Sequence, residues 1–329
     1  MAQIREMISP KVSVVIPVYN TEDYVEEAVR SIMNQTLRNI EIIIIDDGST
    51  DNSLAVIKKL AGEDNRISCF SQTNQGQSVA RNSGIEKASG EFIYFMDSDD
   101  FLEKEAFEVC YNKCTSENLD FVFFDAESFI DNNDHLVGFD YRRTYLLREE
   151  MVYAGKDILD HMLNKKIYRA SVCLNLIKRS FIKQNQLNFY PGIIHEDELF
   201  TSQLYLLSNR VSCIQQVFYH RRVRANSTMS KMFNDRNIEG YLTVIRELKS
   251  IYIKDTKHKI LIDRLIGYIL NPTIYNSKDL SATKRIQLLL HCIRNDYIFL
   301  IKIKNIIILL FPFLITVKAI FKKNILCRL

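Results

Sequence analysis

The sequence predicts an α/β fold with a mostly parallel sheet and flanking helices, on two observations in its first hundred residues. Short apolar runs alternate with stretches of helical periodicity, from a first strand to a fourth, which is typical of a parallel sheet. The second apolar run shows no alternation, as expected of a strand that helices cover on both faces. The predicted strands are Lys11–Asn20, Asn39–Ser49, Arg66–Phe70 and Glu91–Met96, and the predicted helices are one capped by Thr21, then Ser53–Ala61 and Asn74–Ala88.

The composition is that of a globular protein. Of 329 residues, 47% are hydrophobic and 25% are charged, so the chain can bury a sizeable core in one large domain or two modest ones. The formal net charge of +3 is too small to predict a nucleic-acid partner. Seven cysteines are scattered, mostly within apolar runs, and no charged-then-apolar leader precedes them, so we expect reduced thiols in a cytoplasmic protein.

Polar side chains follow three of the four predicted strands, at the sheet edge where α/β proteins bind ligands. They are Pro17, Tyr19 and Asn20 after the first strand, Asp46 and Asp47 after the second, and Asp97, Asp99 and Asp100 after the fourth. Because these ends converge on one edge of the sheet, we expect a single binding site there.

The stretch from Asp97 to Asp100 favours a metal at this edge. Carboxylates packed this closely repel one another unless a positive charge lies among them, and cations such as Mg²⁺ or Mn²⁺ take carboxylate oxygens together with substrate phosphates. The alternative is a solvated turn in which Asp99 or Asp100 caps a helix predicted over Phe101–Thr115.

A nucleotide at this edge would have its phosphates neutralised by the metal. Neither the G-x-G-x-x-G fingerprint nor a G-x-x-x-x-G-K-[ST] loop follows the first strand, so a metal held by carboxylates is the remaining means. Asp46 or Asp47 could accept a hydrogen bond from a base edge or a ribose hydroxyl, or form an Asx-turn before Gly48. Tyr19 could stack on a base or pack within the protein.

Four segments together resemble the N-terminal motifs of family 2 glycosyltransferases. They are Val12–Asn20 (VSVVIPVYN), Ile45–Asp51 (IDDGSTD), Asn74–Asn82 (NQGQSVARN) and Phe95–Asp100 (FMDSDD), and Gly192–Phe200 is similar to the family's E-D-x-x-F element. The resemblance implies a GT-A fold, which is Rossmann-like. It also implies a metal-dependent enzyme that transfers a hexose or N-acetylhexosamine from a nucleotide-diphosphate sugar, most often a UDP-sugar, in bacterial surface-polysaccharide biosynthesis.

The resemblance assigns roles to residues on the donor side. It implies that Pro17 and Tyr19 line the nucleotide base, and that Asp47, with Asp46 as a second candidate, accepts a hydrogen bond from the uracil edge. It implies that Arg81 lies beside the base and the ribose.

The resemblance also identifies a D-x-D motif at the end of the fourth strand. It implies that Asp99 is the principal ligand of Mn²⁺ or Mg²⁺, and that Asp97 belongs to the same motif and lies nearer the ribose. Because the chain has D-S-D-D at this point, Asp100 is a further candidate for the metal.

On the acceptor side, the resemblance makes Asp197 the candidate general base, with Glu196 beside it. An inverting transfer needs a carboxylate that takes the proton of the acceptor hydroxyl as it attacks the anomeric carbon. Asp197 stands at the start of a helix predicted over Glu196–Leu207, and the helix dipole favours the ionised form that a base requires. The alternative is that residues 196–198 are only an acidic first turn.

The second half of the chain carries fewer motifs. Further strands are predicted at Phe121–Asp125, Ser171–Ile177 and Val211–His220, a helix at Gly155–Asn164, and an irregular insertion up to Tyr145. Tyr219–Ser230 is similar to a family segment that closes over the donor, with a basic surface loop as the alternative. Its candidate residues are Arg221, Arg222 and Arg224 for the diphosphate and His220 for the metal or the substrate.

We predict three parts along the chain. Residues 1–230 form the glycosyltransferase domain, with a nucleotide-sugar half over about 10–125 and an acceptor half over about 126–230. Residues 231–297 form a helical extension, and residues 298–329 a basic, apolar tail.

The tail predicts attachment to a membrane. Two lysines, Lys302 and Lys304, and Pro312 interrupt the apolar stretch that a spanning helix needs, so a segment lying on the inner face of the cell membrane fits better. A helix packed on the protein itself is the alternative. Attachment would suit an acceptor carried on a lipid diphosphate, whose presence the resemblance implies.

Two other functions stay open from the sequence. A nucleotidyltransferase also places carboxylates and a metal at a sheet edge, but it would want a glycine-rich, basic loop after the first strand, which Tyr19–Asp23 is not. The other is a catalytically inactive glycan-assembly subunit, against which the intact Asp97, Asp99 and Asp197 argue.

Overall fold

The structure is a computed structural model that describes residues 9–130, 141–223, 233–254 and 258–314. The chain divides into two compact units. The first comprises Met1–Gly192 and Glu196–Ser230, and the second comprises Ile193–His195 and Lys231–Leu329.

The first unit is built on one mixed sheet. Its strands are β1 (Val12–Val18), β2 (Ile40–Asp46), β3 (Ile67–Ser71), β4 (Phe92–Phe95), β5 (Phe101–Leu102), β6 (Phe121–Phe129), β7 (Asn175–Lys178) and β8 (Val211–Arg222). In the described residues they lie in the order β3-β2-β1-β4-β7-β6-β8-β5. Strands β1 to β4 are parallel, β7 is antiparallel to both of its neighbours, and β8 pairs parallel with β6 and antiparallel with β5. The predicted mostly parallel sheet is confirmed.

Helices flank this sheet. In the first unit they are α1 (Val25–Met33), α2 (Ser53–Glu63), α3 (Gln77–Lys87), α4 (Ala106–Ser116), α5 (Gly155–Lys165), α6 (Arg179–Gln184) and α7 (Glu196–Leu207). All seven residues of β1 are buried, and β2 is buried except for Glu41, because helices cover both faces of the sheet centre. α1 buries Val25, Ala28, Val29 and Ile32, the spacing of a single helix face.

The second unit is helical. It contains α8 (Asp235–Lys254), α9 (Lys259–Asn276), α10 (Ala282–Arg294) and α11 (Ile303–Leu310). A bilayer-spanning helix requires a length and an apolar content that no helix within the described ranges has. The cysteines that the structure describes are free thiols.

The helix predicted over Phe101–Thr115 begins later than expected. Phe101 and Leu102 instead form β5, which pairs with His220 and Tyr219 of β8, and the Phe101 ring stacks on the His220 ring at 4.4 Å. α4 starts at Ala106 with Glu105 as its N-cap. The prediction that Asp99 or Asp100 caps this helix is therefore wrong.

Two smaller boundaries also differ. Thr21 does not cap α1, because its carbonyl accepts from the N–H groups of Tyr24 and Val25 in a separate turn, and Tyr24 is the N-cap. In the predicted strand Ser171–Ile177, a 3₁₀ turn at Val172–Leu174 precedes β7. Most of the predicted irregular insertion lies outside the described residues.

Candidate active site

The carboxyl ends of β1, β2 and β4 meet at one edge of the sheet, as predicted. Pro17 is buried within β1 beside Ile45 of β2, and pairing with β4 stops at Val15, so the missing N–H of Pro17 costs nothing on that side. Tyr19 follows β1, and 48% of its surface is exposed. An exposed aromatic ring at this edge is available to a ligand. Its contact with a nucleotide base stays a prediction.

Asp46 and Asp47 are buried and fix the loops around this edge. Asp46 Oδ1 accepts from the N–H of Ser49 at 3.1 Å and Oδ2 from the Ser71 hydroxyl at 2.8 Å, so Asp46 makes the turn that was the alternative to a ligand role. Gly48, which lies between Asp46 and Ser49 in this turn, has φ +74°, and a Cβ there would lie 2.9 Å from the backbone nitrogen of Asn74. Only glycine fits this turn without strain.

Asp47 organises the start of α3. Its Oδ1 accepts from the Gln75 N–H at 3.0 Å and the Gln72 side chain at 2.7 Å, and its Oδ2 accepts from the Gly76 N–H at 2.8 Å. A carboxylate offers about four lone-pair positions, so Asp47 keeps capacity for one more donor, such as a base N–H. Whether it binds the base stays a prediction.

The Asp97–Asp100 turn alternates between the site and the interior. Asp97 and Asp99 are partly exposed, whereas Ser98 and Asp100 are buried. Ser98 accepts from the Thr21 hydroxyl at 3.1 Å.

Asp100 fastens the end of β8 to this turn. It accepts from the Tyr219 hydroxyl at 2.6 Å and from the Arg222 N–H at 2.7 Å. Burial, together with the charges of Asp99 and Asp97, raises the pKa of Asp100 well above its ordinary range. These bonds give Asp100 a structural role, and Asp97 and Asp99 are the partly exposed carboxylates of this turn.

Asp97 and Asp99 fit a divalent cation that shares its remaining ligands with a substrate. No cluster of three or more His, Cys, Asp and Glu side chains suited to a metal occurs in the part of the chain that the structure describes. Mg²⁺ is commonly held by one or two carboxylates and by substrate phosphates, and this donor set meets that description.

Arg81 joins the two acidic clusters. Its guanidinium is buried and donates to Asp97 Oδ1 from Nη2 and to Glu196 Oε1 from Nη1, both at 2.7 Å. Gln77, one turn earlier on α3, donates to the same Glu196 oxygen. Glu196, at the first residue of α7, is thereby held beside the strand-end cluster. The predicted place of Arg81 beside the base and ribose stays a prediction, and its pairing with Glu196 was missed.

Asp197 and Glu198 differ from Glu196 because no arginine pairs with them in the described contacts. Burial, and then the charge of Glu196, raises the pKa of Asp197 to about 7, and burial with the charge of Asp197 raises the pKa of Glu198 to about 8. The sequence argument from the helix dipole expected an ionised Asp197, but burial and the neighbouring carboxylate outweigh the dipole. A carboxylate with a pKa near neutrality suits a general base.

The basic segment at the end of β8 forms contacts within the protein where it is described. Arg222 is buried; its Nε donates to the Asp99 carbonyl at 3.0 Å and its Nη2 pairs with Glu27. His220 lies between two carboxylates, with Nε2 2.7 Å from Glu103 and Nδ1 3.0 Å from Glu127. None of these four contacts could be found in the sequence, since the partners are remote from one another along the chain.

The other two arginines of this segment remain predictions for the diphosphate. The guanidinium of Arg221 lies over the Tyr141 ring at 5.6 Å from its centroid. Arg224 lies outside the described residues.

The three residues before Glu196 pack within the helical unit. The His195 ring stacks on the Tyr241 ring at 3.9 Å, and its Nε2 lies 3.2 Å from Asn237 Nδ2. A Cβ at Gly240 would approach the Ile194 carbonyl oxygen to 2.3 Å, so α8 lies directly against this backbone. The sequence does not reveal this packing, because Gly240 and Ile194 are far apart along the chain and nothing in the sequence pairs them.

Comparison with known proteins identifies a common family. Residues 13–185 match the family model described as glycosyl transferase family 2. Glycosyltransferase GlyA of Streptococcus pneumoniae serotype 4 is 29% identical over 247 residues, 73% of this chain and 34% of GlyA, so the chain spans about a third of that relative. Glycosyltransferase GlyG of the same organism is 31% identical over 232 residues, 69% of this chain and 75% of GlyG.

A solved structure shares the fold. Residues 1–349 of S. aureus TarS, in complex with UDP-GlcNAc, superimpose with a TM-score of 0.64 at 21% identity, over 83% of this chain and 74% of TarS 1–349. At this identity the likeness concerns the architecture alone. It agrees with the mixed, mostly parallel sheet and flanking helices described above.

Proposed function

This chain belongs to glycosyl transferase family 2, and from that premise we propose that it transfers a sugar, with inversion, from a nucleotide-diphosphate sugar to a glycan or lipid-linked saccharide in cell-surface polysaccharide biosynthesis. The donor we propose is a UDP-sugar carrying a hexose or N-acetylhexosamine. The TarS complex with UDP-GlcNAc supports this choice of donor.

The observation that carries the proposal is the buried Arg81 between Asp97 and Glu196. Arg81 links the D-x-D turn, where we propose that the donor binds, to the start of the helix that carries the candidate base. In this proposal the donor-binding and proton-accepting groups are therefore connected through one guanidinium. Asp97 and Asp99 would hold Mn²⁺ or Mg²⁺ together with the donor diphosphate, and the cation would neutralise the charge on the departing nucleoside diphosphate.

In this proposal the remaining residues either bind the nucleotide base or take part in the proton transfer. Asp197 accepts the proton of the acceptor hydroxyl, and its pKa of about 7 leaves a useful fraction ionised at neutral pH. Glu196, fixed by Arg81, positions Asp197 and raises its pKa. Pro17 and Tyr19 line the base, and Asp47, with Asp46 behind it, offers the acceptor for the base edge.

We also propose the parts of the chain that carry these roles. Residues 1–230 bind donor and acceptor, 231–297 form the helical extension, and 298–329 attach the protein to the inner face of the cell membrane. That attachment would bring the site to an acceptor carried on a lipid diphosphate.

The test is Asp197→Asn, with Glu198→Gln as a matched control. The Asn variant should bind UDP-sugars with Mn²⁺ as the wild type does, as measured by thermal shift, but lose transfer by about 10²-fold or more because the base is gone. Glu198, with a pKa of about 8, is mostly protonated at neutral pH, so Gln should change little. Full turnover by Asp197→Asn would show that another residue is the base. Release of pyrophosphate instead of UDP would identify a nucleotidyltransferase.

A further inference from the structure

Helix α10 exposes apolar residues where a surface helix is ordinarily polar. Leu288 and Cys292 are buried, whereas Ile286, Leu290 and Ile293 are exposed by 44% to 51% of their surface. Helical spacing places the three exposed residues on the side of α10 opposite the two buried ones. α10 is therefore apolar on its inner and its outer face.

Helix α11 repeats this pattern. Asn305 and Leu309 are buried, whereas Ile303, Ile307 and Leu310 are exposed by 41% to 76%. In both helices the exposed residues recur at positions i, i+4 and i+7, and the two helices contact each other within the second unit. We call these two sets of three residues the apolar stripes.

The chain that connects α10 and α11 adds an apolar projection, because Phe299 is 86% exposed. Phe311 and Phe313, directly after α11, are 50% and 60% exposed. Single exposed apolar side chains are ordinary, but a set concentrated on neighbouring helices is typical of an interaction surface.

The charge of this part of the chain is one-sided. Residues 282–329 contain nine Lys and Arg and a single acidic residue, Asp296, whereas residues 1–281 contain 34 Lys and Arg and 39 acidic residues. Within the described residues, Lys302 and Lys304 flank the start of the α11 stripe and are exposed, and Arg294 is exposed at the end of α10. In the described residues 282–314, five Lys and Arg and a single acidic residue therefore accompany the apolar stripes.

We propose that the apolar stripes and Phe299 form a docking surface for a membrane with anionic headgroups. Apolar side chains can enter the headgroup region while the surrounding lysines and arginines contact anionic lipid. The inference names a surface for the membrane attachment proposed above and rests on that proposal. It differs in adding helix α10 to the tail of residues 298–329, to which Phe299 and α11 already belong.

The charge argues against two other occupants. In a symmetric pair of chains the same patch faces itself, so a basic surround would meet a basic surround at a cost. The segment 315–329 would also bring like charge, since it contains Lys318, Lys322, Lys323 and Arg328 and no acidic residue.

The experiment is flotation of the full chain with vesicles, without donor or acceptor. Vesicles of phosphatidylglycerol and phosphatidylcholine in equal parts should carry the wild type upward, and vesicles of phosphatidylcholine alone should not. The double variant Ile303→Ser, Ile307→Ser should bind at least about tenfold more weakly. Lys302→Gln should weaken binding about fivefold.

Ile260→Ser is the matched control. Ile260 is 75% exposed, close to the 76% of Ile303, and belongs to the same unit, but it lies at the start of α9 outside the basic region. The control should bind vesicles as the wild type does. Circular dichroism and melting temperature check that every variant is folded.

Three outcomes would overturn the inference. Equal binding to neutral vesicles would remove the role of anionic lipid. If the protein did not bind vesicles and instead formed a dimer, and the double variant Ile303→Ser, Ile307→Ser dissociated that dimer, a second copy of the chain would occupy the stripes. Binding of a hydrophobic dye that appears only after deletion of 315–329 would show that this segment covers them. Because flotation needs no sugar donor, it tests membrane binding independently of the proposed transfer activity.

Discussion

The two acidic clusters of the first unit, Asp97–Asp100 and Glu196–Glu198, look alike in the sequence, and the fold uses them differently. In the strand-end cluster burial alternates along the chain, so Asp97 and Asp99 are partly exposed and Asp100 is buried, where it accepts hydrogen bonds from β8. In the helix-start cluster the first acid is buried and ion-paired with Arg81, and the next two have raised pKa values.

The difference shows that the properties of adjacent carboxylates are set by their burial and their hydrogen-bond partners, and not by residue type. Tyr219 holds Asp100, and Arg81 holds both Glu196 and Asp97. The neighbouring acids Asp97, Asp99 and Asp197 all keep partial contact with solvent, and the pKa of Asp197 is raised because its carboxyl is desolvated and lies near the charge of Glu196. Pairs whose environments differ in this way are typical of sites that need one metal-binding and one proton-accepting group.

The largest expected effect comes from Asp99→Asn. If Asp99 is the principal metal ligand, the variant should lose transfer by about 10³-fold or more, because several kcal/mol of charge stabilisation disappear. Mn²⁺ should no longer improve donor binding in a thermal-shift titration. The fold should be little affected, since Asp99 is partly exposed.

Asp100→Asn is the contrasting variant for that measurement. An amide cannot accept from both Tyr219 and Arg222 as the carboxylate does, so the free energy of unfolding should fall by about 1–3 kcal/mol. Its response to Mn²⁺ should survive. If Asp100→Asn lost the Mn²⁺ response and Asp99→Asn kept it, Asp100 would be the metal ligand and Asp99 the structural residue.

The next effect is on stability and comes from the residue that both clusters share. Arg81→Met leaves the buried Glu196 without its cation, and breaking a buried ion pair from one side costs about 3–5 kcal/mol. Urea unfolding should show this loss. The double variant Arg81→Met, Glu196→Gln should recover part of it, because the unpaired charge is removed. No recovery would mean that Asp97 or packing of the guanidinium on Phe189 dominates.

Most of the fold and the outline of the site could be predicted from the sequence. The helix-covered strands and their polar ends were evident from apolar runs and from the acids that close them. The short strand β5 could not be foreseen, because two residues have no periodicity and are fixed by pairing with His220 and Tyr219. For the same reason Asp100 looked like a helix cap, although its partners lie in β8.

The electrostatic state of the site was the least predictable part. The pKa of Asp197 depends on burial and on Glu196, and whether Glu196 is neutralised depends on a contact with Arg81, 115 residues earlier. A local argument from the helix start therefore gave the wrong direction. Long-range packing decides such cases, and a single sequence does not display it.

The raised pKa of Asp197 predicts a pH dependence of transfer and of stability. A base with a pKa of about 7 should make kcat/KM fall about tenfold per pH unit below that value. Because the fold raises this pKa, the stability contributed by the protonated form is present below the unfolded pKa of about 3.9 and is lost as pH rises through 7. Asp197→Asn should thus gain stability relative to the wild type across that window. A flat difference would contradict the raised pKa.

The smallest effect tests whether the helix-start cluster depends on the backbone before it. In Gly240→Ala the new Cβ would lie 2.3 Å from the Ile194 carbonyl oxygen, so α8 or residues 193–195 must shift, and a shift of residues 193–195 is the case tested. The peptide bond from His195 to Glu196 passes that shift to the candidate base. We expect transfer to fall several-fold to about tenfold, since small displacements of catalytic groups lower rates, with donor binding unchanged.

Gly267→Ala is the matched control, because its nearest contact would be an ordinary 3.4 Å and Ala favours the helix by about 0.5–1 kcal/mol. This variant should be as active as the wild type and at least as stable. If Gly240→Ala is also fully active, the position of Asp197 is set by Arg81 and Glu196 alone, and the helix-start cluster needs no support from α8.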